Sequence, residues 1–313
     1  MAIEQPQQSK VIQLSTHLDD LRMEGNATDI TIGNYMNNIR TVGIYEIDPM
    51  NMELVWQQLL SKFDAGVSYG AIAGFLKVVR KALRLHGHSF VKNHDYNVLL
   101  MKLRKCGSKP SAYTTDQLKQ ILQATEIAAN SKVNSKRKPD YSLYKICILC
   151  IYAGLRISSI EGLKITSFQK VEGYDAYTFP VFSKGVPYTA IISRNAYKRL
   201  DDPFADPAEP IARFDADSKS TFDKIYRSKM IYLLNRYGIA PTMAKNKPFH
   251  SMRKYFAEQL AGTPGLHSED IALLMGHRPP RTTAYRHYID EQKLPTTKLA
   301  EIYCKTPLYH LVL

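Results

Sequence analysis

The sequence predicts an α+β fold that is mainly helical and carries one small β-sheet. Apolar residues recur at helical spacing through the first hundred residues, and the pattern is mainly helical again from Thr221 onward. Two β-rich stretches at 177–183 and 188–192 flank the residues Lys-Gly-Val-Pro at 184–187, a pattern that is typical of a hairpin.

The chain length and one break in the pattern predict two domains. A chain of 313 residues suits about two domains. Gly, Ser and Pro interrupt the helical spacing of apolar residues at 106–110, which makes this segment the best candidate for a linker between domains. We therefore expect a helical domain at 1–105, the linker at 106–110 and a second domain at 111–313.

The first domain is expected to consist of short amphipathic helices. The apolar spacing predicts helices over 11–23 and 51–63, and another helix capped by Thr28 or Asp29. A fourth helix is expected to begin at Ser68. Its apolar stripe has five members: Ile72, Phe75, Leu76, Val79 and Leu83.

The second domain is expected to open with two helices. One begins at Thr115 and runs to about Ala129, and the other covers 140–154. Cys147 and Cys150 form a C-x-x-C within the second of these. No further Cys or His pair follows at zinc-site spacing, so a buried helix is the better interpretation.

The net charge favours a polyanionic partner. The chain has 42 Lys and Arg against 29 Asp and Glu, a formal charge of +13, and its first 75 residues are nevertheless acidic. Nucleic acid is the commonest polyanion that such a chain meets, and the alternative is a basic enzyme whose charge only keeps it soluble.

The basic region begins on the predicted fourth helix. Lys77, Arg80, Lys81 and Arg84 are spaced by three and four residues, which places them together opposite the apolar stripe. We refer to these four residues as the basic strip. It is either a row of contacts to DNA phosphates or a solvated helix face.

Several classes of protein are not indicated. No window approaches the roughly 18 uninterrupted apolar residues of a membrane span. The first residues, MAIEQPQQSK, show no basic segment followed by an apolar run, so no secretory signal is visible. Four cysteines do not form a disulfide framework, and we expect a reducing intracellular compartment.

Four short segments of the second domain contain the residue types of phosphate chemistry. They are A-G-L-R-I-S with Arg156, the hairpin tip with Lys184, H-S-M-R with His250 and Arg253, and L-M-G-H-R with His277. Each segment has an ordinary structural explanation when taken alone; Arg156, for example, could pair with an internal carboxylate such as that of Glu161.

The ordered set resembles the tyrosine recombinases, the phage-integrase family. Arg, a hairpin Lys, H-x-x-R, G-H and then a Tyr occur in that order, and the helical first domain resembles the family's core-binding domain. The resemblance implies a two-domain DNA clamp that cleaves and rejoins duplex DNA through a 3′-phosphotyrosine. It implies neither a cofactor nor a metal.

The residue types suit this chemistry. Arg156 and Arg253 can clamp the non-bridging phosphate oxygens with forked donors. His277 can add a hydrogen bond to them, and His250 can donate, accept or carry a proton. In the resemblance, Lys184 protonates the leaving 5′-oxygen.

The resemblance implies a tyrosine nucleophile, and Tyr285 and Tyr288 are the two candidates. The family's tyrosine usually follows the last histidine by about nine residues, whereas Tyr285 follows His277 by eight and Tyr288 by eleven. Tyr285-Arg-His287 fits the family's Y-x-H setting if one residue is deleted, so Tyr285 is favoured. The other tyrosine is then expected to pack against the preceding helices.

The resemblance also implies partners. Members act as homotetramers on paired double-stranded DNA sites, exchanging C-terminal segments between protomers. The apolar residues of 291–313 could dock onto a neighbour or onto their own core. The first hypothesis is therefore a recombinase or integrase of a mobile element or virus. Such a protein would be located with DNA, in a prokaryotic cytoplasm or in a nucleus. The alternatives are a telomere-resolving or type IB topoisomerase-like enzyme and an inactive DNA-binding relative.

Overall fold

The computed structural model describes residues 11–23, 28–106, 111–131, 139–183, 186–200, 206–214, 220–239, 247–276 and 295–313. The chain divides into two compact units, residues 1–109 and 110–313. The helix that ends the first unit includes Cys106, which the sequence assigned to the linker, and residues 107–110 lie outside the described residues.

The first unit is helical with one short antiparallel pair of strands. Its helices are α1 (Leu14–Met23), α2 (Asp29–Val42), α3 (Met52–Asp64), α4 (Tyr69–Leu85) and α5 (His94–Cys106). Strand β1 (Ile12–Gln13) pairs with β2 (Glu46–Ile47). Helix α5 and the two strands were not predicted from the sequence.

The predicted starts of α2 and α4 are confirmed. Thr28 and Ser68 are the N-caps, and their hydroxyls accept hydrogen bonds from the backbone N–H groups of Thr31 and Ala71. The five-residue apolar stripe predicted for α4 is buried throughout. The same core contains an aromatic cluster in which the Trp56 ring centroid is 5.2 Å from that of Phe90 and 5.3 Å from that of Tyr96.

The second unit surrounds a buried central helix. Its helices are α6 (Thr115–Asn130), α7 (Ser142–Tyr152), α8 (Arg194–Lys198), α9 (Phe222–Arg236), α10 (Pro248–Ala261), α11 (Ser268–Leu274), α12 (Thr296–Cys304) and α13 (Pro307–His310). All the residues of α7 except Leu143 are buried, as expected of a helix that is apolar on most sides. Burial raises the pKa of Cys150 to about 12, so the C-x-x-C belongs to the core.

The predicted hairpin is confirmed and gains a third strand. Strands β3 (Gln169–Lys170), β4 (Ala176–Ser183) and β5 (Val186–Ser193) form an antiparallel sheet in the order β3-β4-β5. The pairing of β4 with β5 runs from Ala176↔Ser193 to Ser183↔Val186. The hairpin therefore carries its last described residues, Ser183 and Val186, to one end of the sheet.

The described C-terminal segment docks onto its own unit. Tyr303 is fully buried, and its hydroxyl donates a 2.8 Å hydrogen bond to the carbonyl oxygen of Tyr152 at the end of α7. Leu299, Ile302 and Leu308 are buried in the same core. The described part of the segment, 295–313, thus contacts the chain's own core, one of the two docking surfaces expected from the sequence.

Candidate active site and nucleic-acid interface

Arg156 follows the sharp end of the central helix. Helix α7 ends at Tyr152, and Gly154 adopts a left-handed φ of +59°, a conformation that favours glycine. Arg156 then starts a single 3₁₀ turn and is half-buried. Its Nη1 donates a 2.7 Å hydrogen bond to Oγ of Ser183, so the arginine contacts the end of strand β4.

Arg253 is the buried member of the H-x-x-R segment. Arg253 lies on α10, whose first turn begins with Pro248. Only 3% of the arginine is exposed to solvent. Its Nη1 donates to the carbonyl oxygen of Gly154, and its Nη2 donates to that of Met275 at 2.7 Å. Both carbonyls follow helix C-termini, where partial negative charge favours a cation. The orientation of the guanidinium is thus set by backbone on two sides.

These residues line one cavity of about 310 Å³. Arg156, His250 and Arg253 contribute to its wall, so three of the residues singled out in the sequence lie at one place. Three further charged residues that no sequence pattern singled out also line it: Asp223, Arg227 and Lys247. Arg227 forms an ion pair with Asp223 one helical turn earlier on α9, a spacing visible in the sequence but too common to mark a site.

Burial and the positive charges of the cavity lower two pKa values. Partial desolvation, followed by the positive charges of Lys247, Arg253 and Arg156, lowers the pKa of His250 below its usual 6.5. Burial and the neighbouring Arg156 likewise lower the pKa of Arg253 from 12.5, although it remains a cation at neutral pH. Both shifts have the direction expected of a cationic cavity suited to an anion.

Tyr188 is a part of this region that the sequence did not single out. It lies on β5, and its ring packs so closely on Gly276 that a Cβ atom there would overlap it. Burial raises the pKa of Tyr188, while the positive charges of Arg253 and Arg156 oppose the rise. Only its position on the predicted hairpin, close to Lys184 in sequence, could have suggested it.

The other predicted catalytic residues lie outside the described residues. These are Lys184, His277, Tyr285 and Tyr288. The chain is described up to Ser183 and up to Gly276, the residues directly before Lys184 and His277.

The basic strip lies on one side of α4 in the first unit. Lys77, Arg80 and Arg84 are exposed and Lys81 is half-buried. The Arg80 guanidinium lies 4.6 Å from the ring centroid of Phe90 and donates a hydrogen bond to the hydroxyl of Tyr96. These contacts fix Arg80 on the α4 surface, in keeping with a surface that presents ordered positive charge.

Within the part of the chain that the structure describes, no helix combines the length and apolar character needed to cross a bilayer.

Comparison with known proteins gives structural relatives. No family model matches the sequence, and no curated protein matches it significantly. A XerH site-specific recombinase bound to palindromic difH substrate matches with a TM-score of 0.55 at 16% identity, over 93% of this chain and 80% of that one.

A lambda integrase tetramer bound to a Holliday junction matches with a TM-score of 0.53 at 18% identity, over 85% of this chain and 76% of that one. A lambda integrase dimer bound to a COC′ core site matches with a TM-score of 0.52 at 19% identity, over 85% and 93%. The chain therefore has the fold of the tyrosine recombinases.

Proposed function

We propose that the protein is a site-specific tyrosine recombinase that cleaves and rejoins duplex DNA through a 3′-phosphotyrosine intermediate. The observation that carries the proposal is the meeting of Arg156, His250 and Arg253 at one cationic cavity. Two guanidiniums and an imidazole that share a cavity wall form an anion site, and a scissile phosphate is the anion that the fold's relatives encounter.

The covalent chain supports the roles of two further residues. Ser183, which accepts a hydrogen bond from Arg156, directly precedes Lys184, and consecutive Cα atoms are about 3.8 Å apart. The carbonyl of Met275, which accepts from Arg253, lies two residues before His277. Lys184 and His277 therefore lie within two residues of a hydrogen-bond partner of Arg156 or Arg253.

The proposed reaction is a phosphoryl transfer. The phenolic oxygen of Tyr285, or of Tyr288, attacks the phosphorus; a P–O bond to tyrosine forms as the P–O5′ bond breaks. His250 accepts the phenolic proton, and Lys184 donates a proton to the leaving 5′-oxygen. Arg156, Arg253 and His277 stabilise the charge on the non-bridging oxygens. Reversal of these steps with a second 5′-hydroxyl rejoins the DNA.

His250 is suited to this step because its pKa is lowered. A neutral imidazole at pH 7 can accept a proton. Burial lowers the pKa most, and two of the cations that lower it further, Arg253 and Arg156, are the ones that would bind the phosphate. Once a phosphate anion occupies the cavity, its negative charge favours the imidazolium, so that proton transfer to His250 is assisted by the substrate.

DNA recognition and assembly belong to the same proposal. The basic strip would contact phosphates and supply affinity that depends on salt but not on sequence. The relatives include a dimer on a core site and a tetramer on a Holliday junction. We infer that this protein likewise binds double-stranded DNA and acts as a homotetramer on paired sites.

Trapping on nicked suicide duplexes tests the chemistry. A pool of nicked duplexes with random sequence around the nick is labelled at the 5′ end of the cleaved strand, and adducts are resolved under denaturing conditions. An active enzyme retains this label and releases the fragment with the 5′-hydroxyl. An adduct with the opposite polarity would contradict a 3′-phosphotyrosine, and DNA binding without any adduct would identify an inactive relative.

Variants then identify the nucleophile. Tyr285→Phe is expected to abolish the adduct and Tyr288→Phe to retain it, while Tyr232→Phe, at a residue that is 66% exposed on α9, serves as a matched control. If both of the first two variants still trap DNA, the nucleophile lies elsewhere. Recombination between two sites, compared with relaxation of supercoiled DNA, separates a recombinase from a type IB topoisomerase-like enzyme.

A further inference from the structure

Three metal-ligating side chains meet in the first unit, and none of them takes part in the proposed reaction. His17, Asp20 and His86 place one ligand atom each within 4.8 Å of one another. A cavity of about 370 Å³ adjoins them and is also lined by His88. We propose that this cluster binds a divalent transition metal ion, with Zn²⁺ as the ion best suited to its donors.

Helix α1 supplies two of the ligands. His17 and Asp20 are three residues apart and therefore lie on neighbouring positions of the helix surface. The backbone N–H of Leu14, the first residue of α1, donates a 2.9 Å hydrogen bond to the carbonyl oxygen of Tyr45, which fixes the start of the helix beside the β1–β2 pair. His17 is 1% exposed, and Asp20 lies at the surface. The two side chains would thus hold an ion from the buried and the exposed side of α1.

The C-terminus of α4 supplies the third ligand. Gly87 has a φ of +73°, the N–H of His88 donates to the Leu83 carbonyl at 2.8 Å, and the N–H of Gly87 donates to that of Arg84 at 3.2 Å. This is a Schellman motif, which holds the backbone of His86 in a defined position. The ring centroids of His86 and His17 are 6.0 Å apart. The partial negative charge of a helix C-terminus also favours a cation at this place.

The donor set selects the kind of ion. Two imidazoles suit zinc, copper, nickel or cobalt, whereas magnesium and calcium prefer oxygen ligands. Two histidines and one carboxylate form one of the common three-residue zinc sets, in which a fourth position is left for water or another ligand. Ligand atoms around tetrahedral zinc are about 3.4 Å apart, so modest rotation of the surface side chains Asp20 and His86 would close the site. His88, on the wall of the same cavity, is the residue available for the fourth position.

An ion at this site would join two distant parts of the chain. His17 lies on the first helix of the unit and His86 directly follows the fourth, α4, which is the helix that carries the basic strip. A metal that binds the folded unit and not the unfolded chain stabilises the fold. The proposal does not depend on the reaction proposed for the second unit, because binding and stability can be measured without DNA.

Zinc binding is measured on the full chain after treatment with a chelator. Competition with a chromophoric chelator is expected to give one tightly bound Zn²⁺ that is lost in the variant His86→Gln, with an affinity decrease of at least about tenfold. Asp20→Asn is expected to weaken binding as well. Both residues are at the surface, so these variants keep the fold, which circular dichroism verifies. His94→Gln, at a histidine whose side chain is 87% exposed, is the matched control and should bind as the wild type does.

Thermal unfolding gives the second measurement. Zn²⁺ is expected to raise the Tm of the wild type and of His94→Gln and to leave that of His86→Gln unchanged. The proposal is overturned if the wild type binds no Zn²⁺, if His86→Gln and Asp20→Asn bind it as tightly as the wild type, or if binding leaves the wild-type Tm unaltered. Retention of Zn²⁺ by all the variants would locate the ion at other histidines.

Discussion

The guanidinium of Arg253 donates a 2.7 Å hydrogen bond to the backbone carbonyl oxygen of Met275, two residues before His277. The same side chain donates to the carbonyl of Gly154, two residues before Arg156. One buried arginine thereby connects the backbone next to both of these proposed catalytic residues, and its removal should affect stability as well as activity.

Arg253→Ala is expected to abolish DNA cleavage and to destabilise the second unit. A hydrogen bond to a charged group contributes about 1.5–3 kcal/mol, and the substitution leaves two carbonyl oxygens without this donor. We expect the free energy of unfolding, measured with urea, to fall by about 3 kcal/mol. Arg194→Ala breaks only an exposed ion pair with Asp175 and should change it by less than about 1 kcal/mol. Equal losses in the two variants would contradict the structural role of Arg253.

Gly276→Ala is expected to destabilise the second unit next to Met275, whose carbonyl oxygen accepts the hydrogen bond from Arg253. Gly276 has a φ of +58°, and an added Cβ would overlap the Tyr188 ring. Gly238 has a similar φ of +61° but open space around it, so Gly238→Ala measures the backbone strain alone, about 1–2 kcal/mol. Urea unfolding should show a larger loss for Gly276→Ala. Equal losses of unfolding free energy in Gly276→Ala and Gly238→Ala would contradict the packing of the Tyr188 ring on Gly276.

The imidazole of His250 reports the charge of the cavity. Its pKa is expected below 6.5, because partial desolvation and nearby cations disfavour the imidazolium. Arg156→Gln removes one of these cations and should raise the pKa, which an NMR titration of the ring protons would detect. Arg194→Gln is the control and should leave it unaltered. A pKa that stays constant in Arg156→Gln would mean that the two side chains do not share the cavity in solution.

The basic strip should determine the salt dependence of DNA binding. Each lost phosphate contact lowers the slope of log Kd against log salt by about 1. Lys77→Gln and Arg84→Gln are expected to have this effect without altering preference among DNA sequences. Lys62→Gln removes an exposed charge from α3 and should leave the slope as it is. If all three variants behave alike, the strip is a solvated face.

Local patterns were sufficient to predict much of the fold. The caps Thr28 and Ser68, the buried stripe of α4 and the β4–β5 hairpin each depend on residues close together in sequence. Helix α5 was missed because its polar residues obscure the periodicity. Strand β3 has only two residues, too few for alternation to be recognised.

The candidate sites depended on contacts that the sequence does not contain. Arg156 and Arg253 were recognised through an ordered set of short segments, but the carbonyl partners of Arg253 could be known only from the fold. The cluster of His17, Asp20 and His86 had no signature at all, because its members are brought together by the packing of α1 on the end of α4. The expectation that no metal is present came from the family resemblance and concerned the reaction, not this cluster.

The docking of α12 and α13 onto their own core limits how far the proposed nucleophile can travel. The Tyr188 ring packs on Gly276, and Pro295 is the residue that caps the start of α12. A chain spans at most about 3.3–3.6 Å per residue, so the Cα of Tyr285, nine residues beyond Gly276, stays within about 32 Å of it. A tyrosine delivered to a neighbouring protomer would have to reach its phosphate on a tether anchored at both ends, and the spacing of the two DNA sites would have to respect that length.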